Sequence, residues 1–411
     1  MTVNSSSTAR TEQAARKRKT FNFRFIRAEI DVVFFVIIVV LLVFGLIMLF
    51  SASYATSQNE YDGDGFYYLR RQLICAVIGL VAMIFVSYLD YNFFFNTKVA
   101  HTIFILTFLL CLYTAFFGQE TAGAKRWVTI AGVQFQPSEI LKIAFIIIFA
   151  YILSVNFQKF KTSWKHCMVP FALIFLLAFG VLALQRHLSA ILLFGIIGIS
   201  MMFASGMPKK YFWAFIGICL IAGLILLACY FVFGGGDFSY IESRIESWRD
   251  PMSDISDTTH QTYEAMLAIG SGGWFGLGFN ESRQKYLYLP ESQNDFIFAI
   301  ICEELGLVGG CVVILIFLVF IIKGFHIAAN SRDRFGMLLA TGITMQIGSQ
   351  ALLNIMVACN AFPNTGISLP FFSAGGTALI FQLVEMGIML NISRQNIRRA
   401  SEKRTLRAEK A

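Results

Sequence analysis

The stretch VVFFVIIVVLLVFGLIMLFSA, residues 32–52, carries no charged side chain. A membrane-spanning helix needs about 20 consecutive, mostly apolar residues, so this stretch alone is long enough to cross a bilayer. The apolar core of a secretory signal peptide is shorter, about 7–15 residues. The stretch also follows a long polar and basic leader over residues 1–30. We therefore interpret it as a retained first transmembrane helix.

The composition of the whole chain agrees with this interpretation. Of 411 residues, 57% are apolar and 14% are charged, and the mean hydropathy is +0.66. A soluble domain has about 45–50% apolar and about 25% charged residues. These values exclude a disordered chain, a collagen, a disulfide-rich miniprotein and an ordinary soluble enzyme. They predict an all-α polytopic membrane protein.

We predict about ten transmembrane helices. Their approximate bounds are 32–52, 70–88, 101–117, 138–154, 168–185, 188–204, 211–233, 295–322, 336–359 and 370–391. The fifth and sixth helices are separated only by Gln185-Arg186-His187, which we interpret as a sharp turn at the headgroup level.

The orientation follows from the Lys and Arg residues outside the spans, of which 23 lie on one side and nine on the other. Cytoplasmic segments carry the excess of these residues, so both termini are predicted to be cytoplasmic. The chain then divides into a basic N-terminal tail (1–30), a transmembrane domain (31–391) and a basic C-terminal tail (392–411). The large loop between helices 7 and 8, about 234–294, is predicted to be extracytoplasmic.

The net charge of +8 is explained by this placement, so we expect no nucleic-acid partner. The eight cysteines lie almost entirely within apolar segments, without a CxxC pair, and the five histidines are scattered. We interpret the cysteines as small buried residues rather than as disulfides or a zinc site.

The first candidate site lies before the fourth helix. Lys125 and Arg126 stand beside Trp127, a combination suited to a lipid phosphate at the membrane interface. Glu139 and Lys142 follow in the first turns of the helix and share one face of it. The alternative is a snorkelling anchor with a helix cap, and the pattern leaves both readings open.

The second candidate site is the large loop, with Arg244 and the run GSGGWFGLG at 270–278. The run is not a dinucleotide fingerprint, because Phe275 stands where the third glycine of that motif belongs. It predicts backbone that turns tightly or approaches a ligand closely. The alternative is a merely flexible loop.

The third candidate site is Asp295, in the stretch YLPESQNDFIF at 288–298. A carboxylate at the start of a strongly apolar helix is partly desolvated and suits a general base. The alternative is an ordinary N-cap aspartate. Glu303 and Glu304 lie about two turns deeper, and at least one of them is expected to face the bundle interior.

The fourth candidate site is the segment PNTGISLPFFSAGG at 363–376, which is rich in Pro and Gly at membrane depth. Broken backbone is tolerated there only where it is buried in protein or lines a cavity. This segment, together with Asn354, is therefore expected to line a site.

At these motifs the sequence closely resembles the SEDS family (shape, elongation, division and sporulation), typified by FtsW, RodA and SpoVE. The matching stretches are AGAKRW, QPSEILK, AIGSGGWFGLG, QKYLYLPESQNDFIFAIICEELGLVG and PNTGISLPFFSAGGTAL, in the expected order between about 123 and 391. The QK before YLPE and the EELG after the aspartate are most similar to the FtsW division branch.

The resemblance implies a peptidoglycan glycosyltransferase that polymerises lipid II into β-1,4-linked glycan, with inversion, at the outer face of the bacterial cytoplasmic membrane and at the division septum. It implies a class B penicillin-binding transpeptidase and divisome membrane proteins as partners. It makes Asp295 the expected catalytic base. The substrate-binding residues that we expect are Lys125, Arg126, Trp127, Glu139, Lys142, Arg244, Gln284, Lys285, Glu291 and Ser373.

A divalent cation, Mg²⁺ or Mn²⁺, bridging Asp295 and a substrate phosphate is a further expectation. Two departures limit what the resemblance implies. The family often has Gln-Pro-Asp-Leu-Gly where this chain has Gln185-Arg186-His187-Leu188-Ser189, and His-Thr where it has Gln293-Asn294. Roles of those family residues do not transfer.

Two other functions fit ten spans with a polar interior: a lipid II flippase or transporter, and a non-catalytic scaffold for the transpeptidase. An alternating-access carrier often has two related halves with broken helices in corresponding positions. Here the broken backbone is concentrated near 360–376, which favours a one-sided enzyme site.

The predicted orientation can be tested by cysteine labelling. Cysteines placed at Ser256 and Ser331, in a background without exposed native cysteines, are expected to react oppositely with a membrane-impermeant thiol reagent added from outside. The charge asymmetry puts the first outside and the second inside. Equal labelling of both positions would overturn the ten-helix map.

Overall fold

A computed structural model describes residues 29–121, 124–130, 133–158, 164–185, 187–217, 239–255 and 259–408. Its helices are α1 (Val32–Glu60), α2 (Tyr67–Tyr88), α3 (Thr97–Phe117), α4 (Pro137–Val155), α5 (Trp164–Leu184), α6 (Leu188–Ala204), α7 (Ser239–Arg249), α8 (His260–Ser271), α9 (Ile297–Ala329), α10 (Arg334–Ala358) and α11 (Gly376–Ala408). Residues 209–217 are helical as well. Nine predicted spans coincide with helices, and most of the span predicted at 211–233 lies outside the described residues.

Six of these helices, α1, α2, α3, α4, α9 and α11, are long and apolar enough to cross a membrane, and α5 and α6 contain shorter apolar stretches. The faces of α2 and α3 that point away from the bundle carry large exposed apolar side chains, as lipid contact requires. The prediction of a helical, multi-pass membrane protein is therefore confirmed.

Helix α10 lies at the centre of the bundle and packs against α9, α6, α4 and α11. It carries three buried amides, Gln346, Gln350 and Asn354. Residues four apart share one face of a helix, so these amides form a single polar stripe. Large polar side chains in lipid are costly, and this stripe is possible only because α10 is enclosed by other helices.

The structure adds a small sheet to the predicted all-α fold. Three short antiparallel strands, β1 (Gln119–Thr121), β2 (Ala124–Ile130) and β3 (Val133–Phe135), lie side by side between α3 and α4. Side chains of consecutive strand residues point to opposite faces. Lys125 and Arg126 therefore face opposite sides of β2.

The last helix also differs from the prediction, because it begins at Gly376 rather than at 370 and runs on to Ala408. Residues 370–375 are apolar but not helical, and Phe371 has a left-handed backbone with φ of 67°. Hydropathy alone could not distinguish this buried loop from a helix. The C-terminal end of α11 continues through the predicted boundary at 392.

The glycine-rich loop (270–278) makes backbone hydrogen bonds to α9 on both sides of an interruption in that helix. At Gly306 the helix is interrupted, with φ of 68° and ψ of −169°. The amides of Leu277 and Gly278 donate to the carbonyls of Glu303 and Glu304, at 2.9 and 3.0 Å. On the other side of the break, Leu307 and Val308 donate to carbonyls of the loop, at 2.9 and 3.2 Å.

This arrangement explains why the loop contains so many glycines. A Cβ atom on Gly276 would lie 2.1 Å from the Glu304 carbonyl oxygen, and one on Gly306 would lie 2.4 Å from the Gly276 nitrogen. The loop backbone therefore turns tightly, as predicted, and it approaches the backbone of α9 closely.

Both carboxylates beside the break are fully buried. Glu304 accepts from the ammonium of Lys285 at 3.0 Å and from the Ser51 hydroxyl at 2.5 Å. Lys285 also donates to Asn280 at 2.7 Å and to Ser51 at 3.2 Å. An ammonium has three donors, and these contacts occupy them all.

Glu303 is bound in the same way by the loop. Its carboxylate accepts from the Ser282 hydroxyl and from the backbone amides of Arg283 and Gln284. Gln284 and Lys285, both expected to bind substrate, are therefore buried structural residues that fasten the loop to α9. The sequence could not reveal this, because their partners are distant along the chain or two helical turns inside α9.

Loss of one partner of the buried pair is expected to be costly. Lys285→Met leaves the Glu304 carboxylate buried without its cation, which typically costs about 3–5 kcal/mol. Thermal denaturation of the purified protein in detergent measures this as a large fall in Tm.

A matched control is Lys323→Met. The ion pair between Lys323 and Asp31 has the same 3.0 Å length but is partly exposed, so its loss is expected to cost less than about 1 kcal/mol. Equal changes in Tm for the two variants would contradict the structural role of Lys285.

Candidate active site

Two non-helical segments meet at one end of the bundle. The amide of Ala374 donates to the Gln293 carbonyl at 2.9 Å, and the Ser373 hydroxyl donates to the Asn294 carbonyl at 2.6 Å. The segments 288–296 and 360–375 are thereby joined next to Asp295. They lie where α4, α9 and α11 begin and α10 ends.

Asp295 is not a helix cap. Helix α9 begins at Ile297, its N-cap is Phe296, and no side chain caps it. The N-cap alternative is therefore wrong. The Asp295 side chain lies against Gly366, where a Cβ atom would be 3.4 Å from Oδ2. The described part of the chain donates no hydrogen bond to this carboxylate, so its oxygens can accept a proton.

The surroundings of Asp295 make its carboxylate more basic than usual. Burial and the nearby Glu291 carboxylate raise its pKa to about 6, against the opposing influence of Arg244 and Arg126. A pKa near the working pH suits a general base. The same balance indicates that two guanidinium groups lie within electrostatic reach of the carboxylate.

The two guanidinium groups come from separate parts of the chain. Arg126 lies on β2. Arg244 lies on α7 and donates to the Asn364 carbonyl, in the segment opposite Asp295. Asn364 in turn donates to the Gln261 side chain of α8 at 3.1 Å. The large loop is therefore attached to the broken segment at the site.

Lys125 and Trp127 occupy other positions. The Lys125 ammonium donates to the Phe116 carbonyl at 3.3 Å, at the C-terminal end of α3. This contact fits the anchoring alternative for Lys125. Trp127 is half-buried in β2, paired with Gln119 of β1.

Lys142 is buried and lies 2.8 Å from the Glu139 carboxylate, as the shared helix face predicted. It also donates to Gln350 of α10 at 3.0 Å, and Gln350 donates to the Ser368 carbonyl at 3.0 Å. Sequence reasoning missed Gln350. An amide at membrane depth four residues before Asn354 was the available signal.

Glu291 and Ser373 have different roles in the site. Glu291 is exposed, has a left-handed backbone with φ of 55°, and accepts from the Asn294 amide at 2.6 Å. Ser373 is buried, and its hydroxyl links the Leu369 amide to the Asn294 carbonyl. Its hydroxyl is thus used to hold backbone, whereas Glu291 stays open to a ligand.

His187 is an uncharged residue near the cations of the site. It is buried in the turn between α5 and α6, and burial together with Arg126 and Lys142 lowers its pKa to about 3. At neutral pH it is an uncharged imidazole.

The described residues contain no group of three His, Cys, Asp or Glu side chains able to hold a metal ion. Mg²⁺, however, is commonly bound by one or two carboxylates together with substrate phosphates. Asp295 with the neighbouring Glu291 fits that donor set.

The fold and the site together define a polytopic membrane protein with a carboxylate held between two broken segments and faced by guanidinium groups. The chain belongs to the FtsW/RodA/SpoVE family of cell cycle proteins, whose family model matches residues 32–398.

Proteins with similar sequences support this family membership. A probable peptidoglycan glycosyltransferase FtsW of Geobacter sp. (strain M18) is 35% identical over 365 residues, 88% of this chain and 96% of that protein. Stage V sporulation protein E of Bacillus subtilis (strain 168) is 36% identical over 367 residues, which are 89% of this chain and 97% of that protein.

Solved structures share the fold. A chain from "Structural coordination of polymerization and crosslinking by a peptidoglycan synthase complex" matches with a TM-score of 0.71 at 23% identity, covering 89% of this chain and 98% of that one. The rod shape determining protein RodA of Thermus thermophilus matches with a TM-score of 0.63 at 23% identity, covering 89% and 97%.

Proposed function

We propose that the protein is a peptidoglycan glycosyltransferase that polymerises lipid II at the outer face of the cytoplasmic membrane, in septal cell-wall synthesis. The observation that carries the proposal is Asp295, a half-buried carboxylate free of any capping role and held between two broken segments. The FtsW names of its relatives support the reaction and the division role.

In the proposed reaction Asp295 accepts the proton of the acceptor sugar hydroxyl of lipid II. The hydroxyl oxygen forms a bond to the anomeric carbon of the growing glycan as the bond to undecaprenyl pyrophosphate breaks. The displacement inverts the α-linked donor and yields a β-1,4 bond. The proton stays on Asp295 until solvent removes it.

The departing pyrophosphate gathers negative charge, which fixed cations stabilise in a site that excludes water. Arg126 and Arg244 are near enough to influence Asp295, and Lys142 uses two of its three donors within the described residues. A divalent cation, Mg²⁺ or Mn²⁺, held by Asp295, Glu291 and the substrate phosphate would supply further positive charge there.

The transporter alternative is less well supported. The non-helical segments at 288–296 and 360–375 lie at the same end of the bundle, and α9 is interrupted only about two turns from that end. An alternating-access carrier instead places broken helices near the midplane of two related halves. We propose a class B penicillin-binding transpeptidase and divisome membrane proteins as partners, supported by the shared fold of a synthase-complex chain.

The role of Asp295 is tested by Asp295→Asn. Asparagine keeps the size of the side chain but does not accept the hydroxyl proton, and loss of a general base typically lowers the rate by about 10²–10⁴-fold. Purified protein with labelled lipid II is expected to form no polymer at a measurable rate, while expression and thermal stability are retained.

Glu291→Gln is the matched control, since it neutralises the neighbouring exposed carboxylate. It is expected to lower the rate far less. A polymerising Asp295→Asn variant beside an inactive Glu291→Gln variant would assign the base to the other carboxylate.

The pH dependence gives an independent measurement. Only the unprotonated Asp295 acts as a base, and its pKa is raised to about 6. The polymerisation rate is therefore expected to fall about tenfold per pH unit below about 6, rather than below about 4 as for an ordinary aspartate.

Removing the Arg244 charge provides a control for this pH profile. Arg244 favours the charged carboxylate, so Arg244→Gln is expected to move the acidic limb of the profile to higher pH. A limb that stays near pH 4 in the unmodified protein would contradict the assignment.

A further inference from the structure

Asn354 connects both halves of the candidate active site through one side chain. It lies in the last turns of α10 and is fully buried. Its Nδ2 donates to the Asp295 carbonyl at 2.7 Å and to the Ile367 carbonyl at 2.7 Å. These two carbonyls belong to the two broken segments that meet at the site.

The first of these bonds fixes the backbone that carries the carboxylate. Asp295 lies in a turn before α9 and has no helical hydrogen bonding of its own to hold it. The turn is closed by bonds to the Glu291 carbonyl, from Asn294 at 2.9 Å and from Phe296 at 3.4 Å. The 2.7 Å bond from Asn354 attaches this turn to the rigid centre of the bundle.

The second bond, from Asn354 to the Ile367 carbonyl, fixes the backbone that faces the Asp295 carboxylate. Ile367 follows Gly366, whose backbone is left-handed with φ of 65°. At Gly366 a side chain would come within 3.4 Å of Asp295 Oδ2. Holding the Ile367 carbonyl therefore holds the Gly366 backbone against the carboxylate.

The Asn354 side chain uses only its donors for this purpose. Its Oδ1 is buried and accepts no hydrogen bond from the residues that the structure describes. A buried polar atom without a partner is costly, and here the cost falls on a residue that is bonded to both segments.

We propose that Asn354 is a positioning residue that sets the location of the Asp295 carboxylate relative to the Gly366 turn. This inference rests on the proposed role of Asp295 as the base. A displacement of about one ångström in a catalytic group can cost about 100-fold in rate, so one buried amide has a large effect on the reaction without contacting substrate.

The test is Asn354→Leu, which keeps a similar shape and removes both donors. Steady-state polymerisation of labelled lipid II is expected to show kcat lowered about 100-fold, with KM changed by less than about twofold, because the loss affects the transition state and not ground-state binding. Binding of lipid II and Tm in detergent are measured on the same preparation.

Asn391→Leu is the matched control. Asn391 is an equally buried asparagine on α11, and its side chain binds the Ser87 carbonyl at 2.8 Å and the Tyr91 amide at 3.1 Å. These contacts lie far along α11 from its Gly376 end. This variant is expected to lower Tm by a similar amount and to keep the kcat of the folded protein.

The outcomes separate the inference from the proposed function. Unchanged kcat in Asn354→Leu, or parallel losses of kcat and Tm in both leucine variants, overturns the positioning role while Asp295→Asn remains inactive. An active Asp295→Asn variant overturns the proposed function itself. If Asn354→Leu does not fold, Asn354→Ser retains one donor, and an unchanged kcat there overturns the positioning role equally.

Discussion

Lipid offers no hydrogen bonds, so the non-helical backbone at 360–375 must be satisfied by the protein itself. Side-chain amides from the helices supply several of these hydrogen bonds. The contacts are Asn354 to the Ile367 carbonyl, Gln350 to the Ser368 carbonyl, Gln72 to the Ser373 carbonyl, and the Phe371 amide to Gln382. Without them the segment would unravel or leave the bundle, and Asp295 would lose the surface against which it lies.

The same constraint explains the distribution of charge. Two buried lysines pair with carboxylates, as Lys142–Glu139 and Lys285–Glu304, whereas the buried Arg394 guanidinium lies over the Tyr88 ring. Only one of these pairs stands at the site, and the other fastens a loop. The neutral imidazole of His187 and the buried amide of Gln293, which accepts from Thr56 and Ser292, add no charge to the site. Within the described residues, the charges that shift the pKa of Asp295 are those of Glu291, Arg244 and Arg126.

Much of the fold could be predicted because long apolar stretches have few alternatives in a membrane. The bounds of α6, Leu188–Ala204, coincide with the prediction. Two of the three strands at 119–135 have only three residues, too few to give a periodic signal, and the loop at 370–375 is as apolar as a helix. At the site, Asp295 was identified by its position before an apolar run. The roles of Gln350, Asn354 and Lys285 depend on partners 13 to more than 200 residues away, which no local pattern contains.

The hydrogen-bonded contact between the glycine-rich loop and the interruption in α9 limits which substitutions this protein can accept. Gly276 and Gly306 lie too close together for either to gain a side chain, and the loop amides replace helix bonds that Gly306 cannot make. Substitution at one glycine cannot be compensated by a change at the other. The loop and the helix are therefore inherited as one unit, and recombination between relatives will preserve folding only when its crossover points lie outside residues 270–310.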